Sequence, residues 1–267
     1  MNDSSTFAWA SGEAYEPYVG RWSRLVARDF LSWLALPAGC KWLDVGCGTG
    51  ALSKTILDLA APKEVCGIDP SEGFLQYARS NAKDARVKFD VGNAMSIPYD
   101  SESFDAVVSG LVLNFVPDQA KALSEMCRVA KLDGTVGLYV WDYAGEMQLM
   151  RYFWDAAVTL NSKASELDEG KRFPSCKPGP LTDFFIHAGL KDVETKAIDV
   201  PTTFKNFDDY WRPFLSGQAP APAYAMSLSE ENRMELRELV RKRLPIGPDG
   251  SIHVIARAWA VRGKKRG

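Results

Sequence analysis

Trp42-Leu43-Asp44-Val45-Gly46-Cys47-Gly48-Thr49-Gly50 decides how this 267-residue chain is read. Apolar residues flank an acid, and glycines then recur at every second position. Leu52, Ile56 and Leu59 follow at helical spacing. The pattern is that of a strand, a tight turn and a helix. Glycine has no Cβ, so such a turn adopts positive φ and admits a ligand close to the backbone. The helix beyond it starts with unpaired N–H groups and the positive end of its dipole. A ligand cradle at the carboxyl edge of a parallel sheet is therefore expected.

Glu64-Val65-Cys66-Gly67-Ile68-Asp69 reads as a second buried strand that also ends in an acid. An acid there accepts hydrogen bonds from both hydroxyls of a ribose. The dinucleotide fingerprint G-x-G-x-x-G would need glycine where Ala51 stands. Asp-x-Gly-x-Gly-x-Gly followed by the second acid instead resembles the class I S-adenosylmethionine-dependent methyltransferases, in their small-molecule, ubiquinone/menaquinone-biosynthesis-like subgroup. The resemblance covers about residues 40–142.

That resemblance implies S-adenosyl-L-methionine as the methyl donor and assigns its contacts. Gly46, Cys47, Gly48, Thr49 and Gly50 form the turn, and Asp44 orders it and the amino-acid end of the donor. Asp69 takes the ribose hydroxyls, beside Pro70 and Ser71. Asn93 and Ala94 meet the adenine, with Asn93 where the family often has Asp. Gly110 and Leu111 line the donor's other side. An N-terminal Tyr/Arg segment folds over the donor in such proteins, which points to Tyr18 and Arg21. A guanidinium fork matches a planar carboxylate.

The rest of the chain sets limits. It is 46% hydrophobic and 25% charged, an ordinary balance for a globular protein. A net charge of −2 argues against a dedicated nucleic-acid partner. Apolar runs fall well short of the ~20 residues that span a bilayer, and residues 1–6 lack the features of a signal peptide. The five cysteines show no C-x-x-C spacing, and only His187 and His253 are present, so no metal site is expected. The expectation is a cytoplasmic monomer or homodimer with no membrane partner.

Taken in order, apolar positions from Trp22 to Leu34 mark a helix, ended by Pro37-Ala38-Gly39. Ser71 is the N-cap of a helix running to about Asn81. Residues 86–91 read as a third strand, 104–110 as a fourth and 134–141 as a fifth, with a helix opened by Pro117-Asp118 between the last two. This alternation predicts a doubly wound α/β sheet. Later segments read as a helix over 146–160, a polar loop over 161–179 and a helix over 182–188. A strand over 191–198 and an aromatic helix over 207–215 follow. Residues 219–223 read as a stiff linker or loop, 228–244 as a charged helix and 252–261 as a last strand. The resemblance implies a Rossmann-like seven-stranded sheet whose last strand is antiparallel. The division is 1–36 as a helical cover, 37–142 as the donor-binding core, 143–225 as a cap with a strand, and 226–267 completing the core.

No catalytic triad is visible, and methyl transfer needs none, because orientation of the reactants supplies ~7–11 kcal/mol. Asp142, Tyr143 and His187 are candidate bases. Asp142 has a competing reading as a helix cap, and His187 as a structural residue. Asn114, Trp154, Phe173 and Trp211 are candidate contacts to a small, partly apolar acceptor, although packing alone accounts for the aromatics equally well. The alternatives are a nicotinamide-dependent oxidoreductase and a donor-binding scaffold without turnover.

Overall fold

A computed structural model describes residues 21–217 and 219–267. Tyr18 lies outside the described residues. Arg21 starts a helix, but its side chain also lies outside them.

Helix α1 (Arg21–Leu34) leads to β1 (Lys41–Val45), α2 (Ala51–Leu59), β2 (Glu64–Asp69), α3 (Glu72–Asn81), β3 (Val87–Val91) and β4 (Phe104–Gly110). Helix α4 (Gln119–Val129) runs into β5 (Ala130–Trp141). Then come α5 (Gln148–Leu160), α6 (Glu169–Arg172), α7 (Pro178–His187), β6 (Lys191–Phe204) and α8 (Phe207–Trp211). Helices α9 (Pro220–Ser227) and α10 (Glu230–Arg243) precede β7 (Ile252–Lys264). The seven strands form one sheet in the order β3-β2-β1-β4-β5-β7-β6. Strands β1 to β5 are parallel, as the alternation predicts, and β7 is antiparallel to β5, as the family resemblance implies.

The order turns back between β1 and β4. Such a switch point leaves a crevice at the carboxyl ends of the two strands, and the Gly-rich stretch begins there, directly after Val45. The four last residues of β1 are all buried, which is why its sequence is an apolar run rather than an alternation.

Two compact units divide the chain. The sheet unit comprises Ser23–Trp141, Ser175–Ile198 and Ala258–Gly267. Val26, Phe30 and Leu34, one helical turn apart, form the buried stripe of α1. The Phe30 ring lies 4.9 Å from that of Tyr139. Arg262 donates to the carbonyls of Trp33 and Leu34 and stacks on the Trp33 ring at 4.6 Å. A cation there answers the partial negative charge of the helix end.

The helical unit includes Asp142–Pro174 and Asp199–Arg257. Its centre is aromatic. Phe153 stacks on Phe214 at 4.5 Å, and Trp154, Trp211 and Tyr224 pack around them. Tyr210 is fully buried and donates its hydroxyl to the Leu149 carbonyl at 2.7 Å.

Several sequence expectations change. Residues 219–223 are not a linker, because Pro220 and Pro222 lie in the first turn of α9. First-turn N–H groups have no helical partner, so proline is tolerated there. The stretch 161–179 holds a 3-10 turn (Ser162–Glu166), α6 and the start of α7. Its polar residues are caps: Asn161 and Asp168 accept from Lys163 and Gly170 N–H groups. Helix α10 groups with the helical unit. It packs on α5, and Arg243 donates to Thr159 Oγ1 at 3.0 Å. Residues 23–34 of α1 group with the sheet unit.

Candidate active site

The Gly-rich loop is fixed by three backbone bonds. Gly46 and Cys47 N–H groups both donate to the Ile68 carbonyl, at 2.8 and 2.9 Å, and Gly50 N–H donates to Cys47 at 2.8 Å. Gly46 has φ +74°, and a Cβ there would lie 2.5 Å from Val112 Cγ1. Both conformation and space therefore demand glycine. Gly48 differs: its φ is +51°, but a Cβ would meet nothing within 4 Å. That side of the loop is open to a ligand. Gly50 leads into α2.

Two carboxyl groups flank the loop. Asp44, at the end of β1, is 1% exposed. Its Oδ2 accepts from Ser53 Oγ at 2.7 Å, and its Oδ1 has no partner. Burial raises its pKa to about 7, against the opposing effect of the Ser53 bonds. Asp69 ends β2. Its Oδ2 accepts from Gly48 N–H at 3.0 Å and its Oδ1 from Ser71 N–H at 2.8 Å. Burial also raises its pKa. Each oxygen retains a second lone pair for a hydroxyl donor. Asp69 thus holds the loop in place.

The remaining predicted donor contacts surround this loop. Thr49 and Ser71 are half-buried and Pro70 is exposed. Ser71 caps α3 by accepting from Phe74 N–H. Cys47 contributes backbone to the loop, but its thiol packs with Leu75, Ala78 and Phe89, where burial pushes its pKa well up. Asn93 is exposed, and its carbonyl already accepts from Met95 N–H at 2.8 Å. Ala94 is half-buried beside it. After β4, Gly110 lies against the Tyr139 hydroxyl, and Leu111 donates to the Tyr139 carbonyl at 2.8 Å with φ +63°. Asn114 follows, 7% exposed, with neither Nδ2 nor Oδ1 partnered.

The candidate bases separate. Asp142 is 6% exposed, and its oxygens accept from Gly145 and Glu146 N–H groups at 3.1 and 3.0 Å. It caps the turn before α5. Tyr143 is buried, its ring 5.3 Å from that of Phe173. His187 is corrected more strongly. It is exposed at the end of α7, with Nδ1 2.7 Å from the Asp183 carbonyl oxygen. Lys191, the first residue of β6, pairs with Asp133 near the start of β5 at 2.6 Å. His187 therefore sits by the amino ends of the parallel strands, opposite the Gly-rich loop. Trp154 and Trp211 lie in the aromatic core of the helical unit, and Phe173 is half-buried.

Sequence reading missed three residues. Ser53, in the first turn of α2, reaches back to Asp44. A hydroxyl early in the helix after the turn is the available signal. Val112 packs on Gly46. Glu169 is 3% exposed and accepts from Trp154 Nε1. It lies in a polar run that reads as a loop, so no local pattern marks it.

The arrangement fits a donor with an ammonium group and a ribose diol. Oδ1 of Asp44 is a buried acceptor awaiting an N–H donor, Asp69 retains lone pairs, and the glycine cradle leaves room. Fold and site together define a donor-binding α/β protein of the methyltransferase kind. The description "methyltransferase domain" applies to the family model that matches residues 43–138. A demethylmenaquinone methyltransferase of Shouchella clausii is 33% identical over 193 residues, 64% of this chain and 78% of that relative. A candidate methyltransferase of Bacillus halodurans C-125 shares the fold at TM-score 0.61 and 18% identity, over 90% of this chain and 99% of that one. Phosphoethanolamine N-methyltransferase 2 of Haemonchus contortus, solved with S-adenosylhomocysteine, does so at TM-score 0.59 and 18% identity, over 96% of this chain and 57% of that one. The chain belongs to the class I S-adenosylmethionine-dependent methyltransferases, in the menaquinone-like subgroup. It is an enzyme that methylates a small organic molecule. The oxidoreductase and silent-scaffold alternatives give way to this.

Proposed function

We propose that the acceptor is a quinol nucleus like that of demethylmenaquinone. The observation that carries this is the 33% identity to the Shouchella clausii enzyme, spread over 78% of its length. S-adenosylmethionine supplies an electrophilic methyl group on sulfur. The chain's own residues hold and orient the reactants. Asp44 Oδ1 accepts from the donor's ammonium, Asp69 accepts from the ribose hydroxyls, and Asn93 and Ala94 border the adenine. Gly110 and Leu111 line the donor's other side, and Arg21 pairs with the donor carboxylate. Transfer is a direct in-line displacement without a covalent enzyme intermediate. Asp142 is engaged as a cap, so the quinol proton is assigned to solvent rather than to this carboxylate.

The protein acts as a cytoplasmic monomer or homodimer without a nucleic-acid partner. The net charge of −2 weighs against a nucleic-acid partner, and among the described residues no helix is long and apolar enough to cross a membrane.

Labelled S-adenosylmethionine with a prenylated 1,4-naphthoquinol tests the acceptor, and a labelled methylated quinol is the expected product. Label appearing only in other small molecules of a cell extract overturns the quinol assignment. Asp69→Ala tests the donor site. Calorimetry should show donor binding weakened by about 1.5–3 kcal/mol, the scale of hydrogen bonds involving a charged group.

A further inference from the structure

Asn114 carries a buried amide that the ligand-free protein leaves unsatisfied on both atoms. A buried polar group without partners is costly and uncommon, and it calls for a specific explanation. The setting supplies one. Asn114 lies in a 3-10 turn (Leu113–Phe115) directly beyond β4, on the carboxyl edge of the sheet. Val112, two residues earlier, packs against Gly46 of the donor loop. Leu111 holds φ +63°, a left-handed conformation unfavourable for a non-glycine residue. Backbone strain and an orphaned amide thus share the short stretch 111–114. Such departures persist where the site requires them.

We propose that Asn114 recognises the methyl acceptor, donating from Nδ2 to an acceptor oxygen that is itself methylated or borders the methylated atom. This rests on the small-molecule methyltransferase reading of the site. The donor's polar groups have other partners suited to them. The orphaned Asp44 Oδ1 is an acceptor and matches an ammonium, and Asp69 retains lone pairs for a diol. An uncharged amide that both donates and accepts suits a hydroxyl, an enol or its anion. During transfer the acceptor's electron pair forms the bond to the methyl carbon. The carbon–sulfur bond breaks with its pair on sulfur, and the acceptor's proton leaves to solvent. Nδ2–H stabilises the acceptor oxygen in the anionic form left when that proton departs, the form that carries the reacting electron pair.

The test compares wild type with Asn114→Leu and Asn114→Asp. Three readouts are needed: thermal stability, donor Kd by calorimetry, and transfer of labelled methyl both to a prenylated 1,4-naphthoquinol and to a small-molecule extract. Asn114→Leu removes an unsatisfied amide, so its Tm should equal or exceed that of wild type. Its donor Kd should stay within about twofold while methyl transfer falls about 10- to 100-fold, the scale of one lost hydrogen bond to a charged group. Asn114→Asp should also transfer poorly, because a carboxylate repels the acceptor anion. Unchanged transfer by Asn114→Leu overturns the proposal. A lowered Tm overturns it in favour of a structural amide, and lost donor binding overturns it in favour of a donor contact. If wild type labels the extract but not the naphthoquinol, the quinol assignment fails, and the Asn114 proposal is decided by the extract. Wild type labelling neither overturns both.

Discussion

Asp44 in the sheet unit and Glu169 in the helical unit are buried to nearly the same degree, at 1% and 3% exposure. Burial is the largest cause that raises each pKa, to about 7 in both cases. Their surroundings differ. Glu169 receives the indole N–H of Trp154 inside an aromatic core. Asp44 receives one hydroxyl, from Ser53, and its Oδ1 has nothing. Equal burial thus serves two ends. In the helical unit an internal donor relieves the cost of a buried acid. In the sheet unit no internal donor reaches the second oxygen, so that part of the cost stays uncompensated within the protein.

The largest expected effect concerns the frame that holds Asp44. Gly46→Ala meets both a left-handed φ and the Val112 side chain. A stability loss of about 2–5 kcal/mol is expected from strain and overpacking together. Gly48→Ala has open space, so it should cost only the conformational part, about 1–2 kcal/mol. Urea unfolding of both variants checks the ratio. Equal losses would break the claim that the loop is closed on one side and open on the other.

Trp154→Phe removes the indole donor and makes Glu169 resemble Asp44. At pH 8, with Glu169 ionised, a loss of about 1–3 kcal/mol is expected from the unsatisfied carboxylate. The loss should shrink at pH 5.5, where Glu169 is protonated, and in the double variant with Glu169→Gln. A pH-independent loss would assign the effect to packing alone.

The third effect is a slope with pH. An acid with its folded pKa raised keeps a proton that the unfolded chain has already released. Its contribution to stability is therefore complete below about pH 4 and is lost as pH rises to about 7. Above that it is flat. Asp44→Asn should remove one such decline from the ligand-free stability profile, and Glu169→Gln another. Donor affinity should rise through pH 7 in wild type and in Glu169→Gln, as Asp44 ionises, and lose that rise in Asp44→Asn. Calorimetry at pH 6 and 8 distinguishes these, and an identical rise in Asp44→Asn would refute the pairing with the donor's ammonium.

The amino-acid sequence by itself determined the strand–turn–helix around Gly46, the acids at the ends of β1 and β2 and the parallel alternation, while the antiparallel last strand came from the family resemblance. These are local or periodic signals. Two-sided burial makes apolar runs, helices repeat every three to four residues, and a left-handed turn selects glycine. Tertiary structure alone decided which polar groups were already engaged. Asp142 is taken by two backbone N–H groups, His187 is carried to the amino edge by the start of β6, and Glu169 is buried under Trp154. It also left Asp44 Oδ1 and the Asn114 amide without partners. Residue type states what a side chain can donate or accept. Whether that capacity is already used depends on atoms distant in the chain, and only packing brings them together.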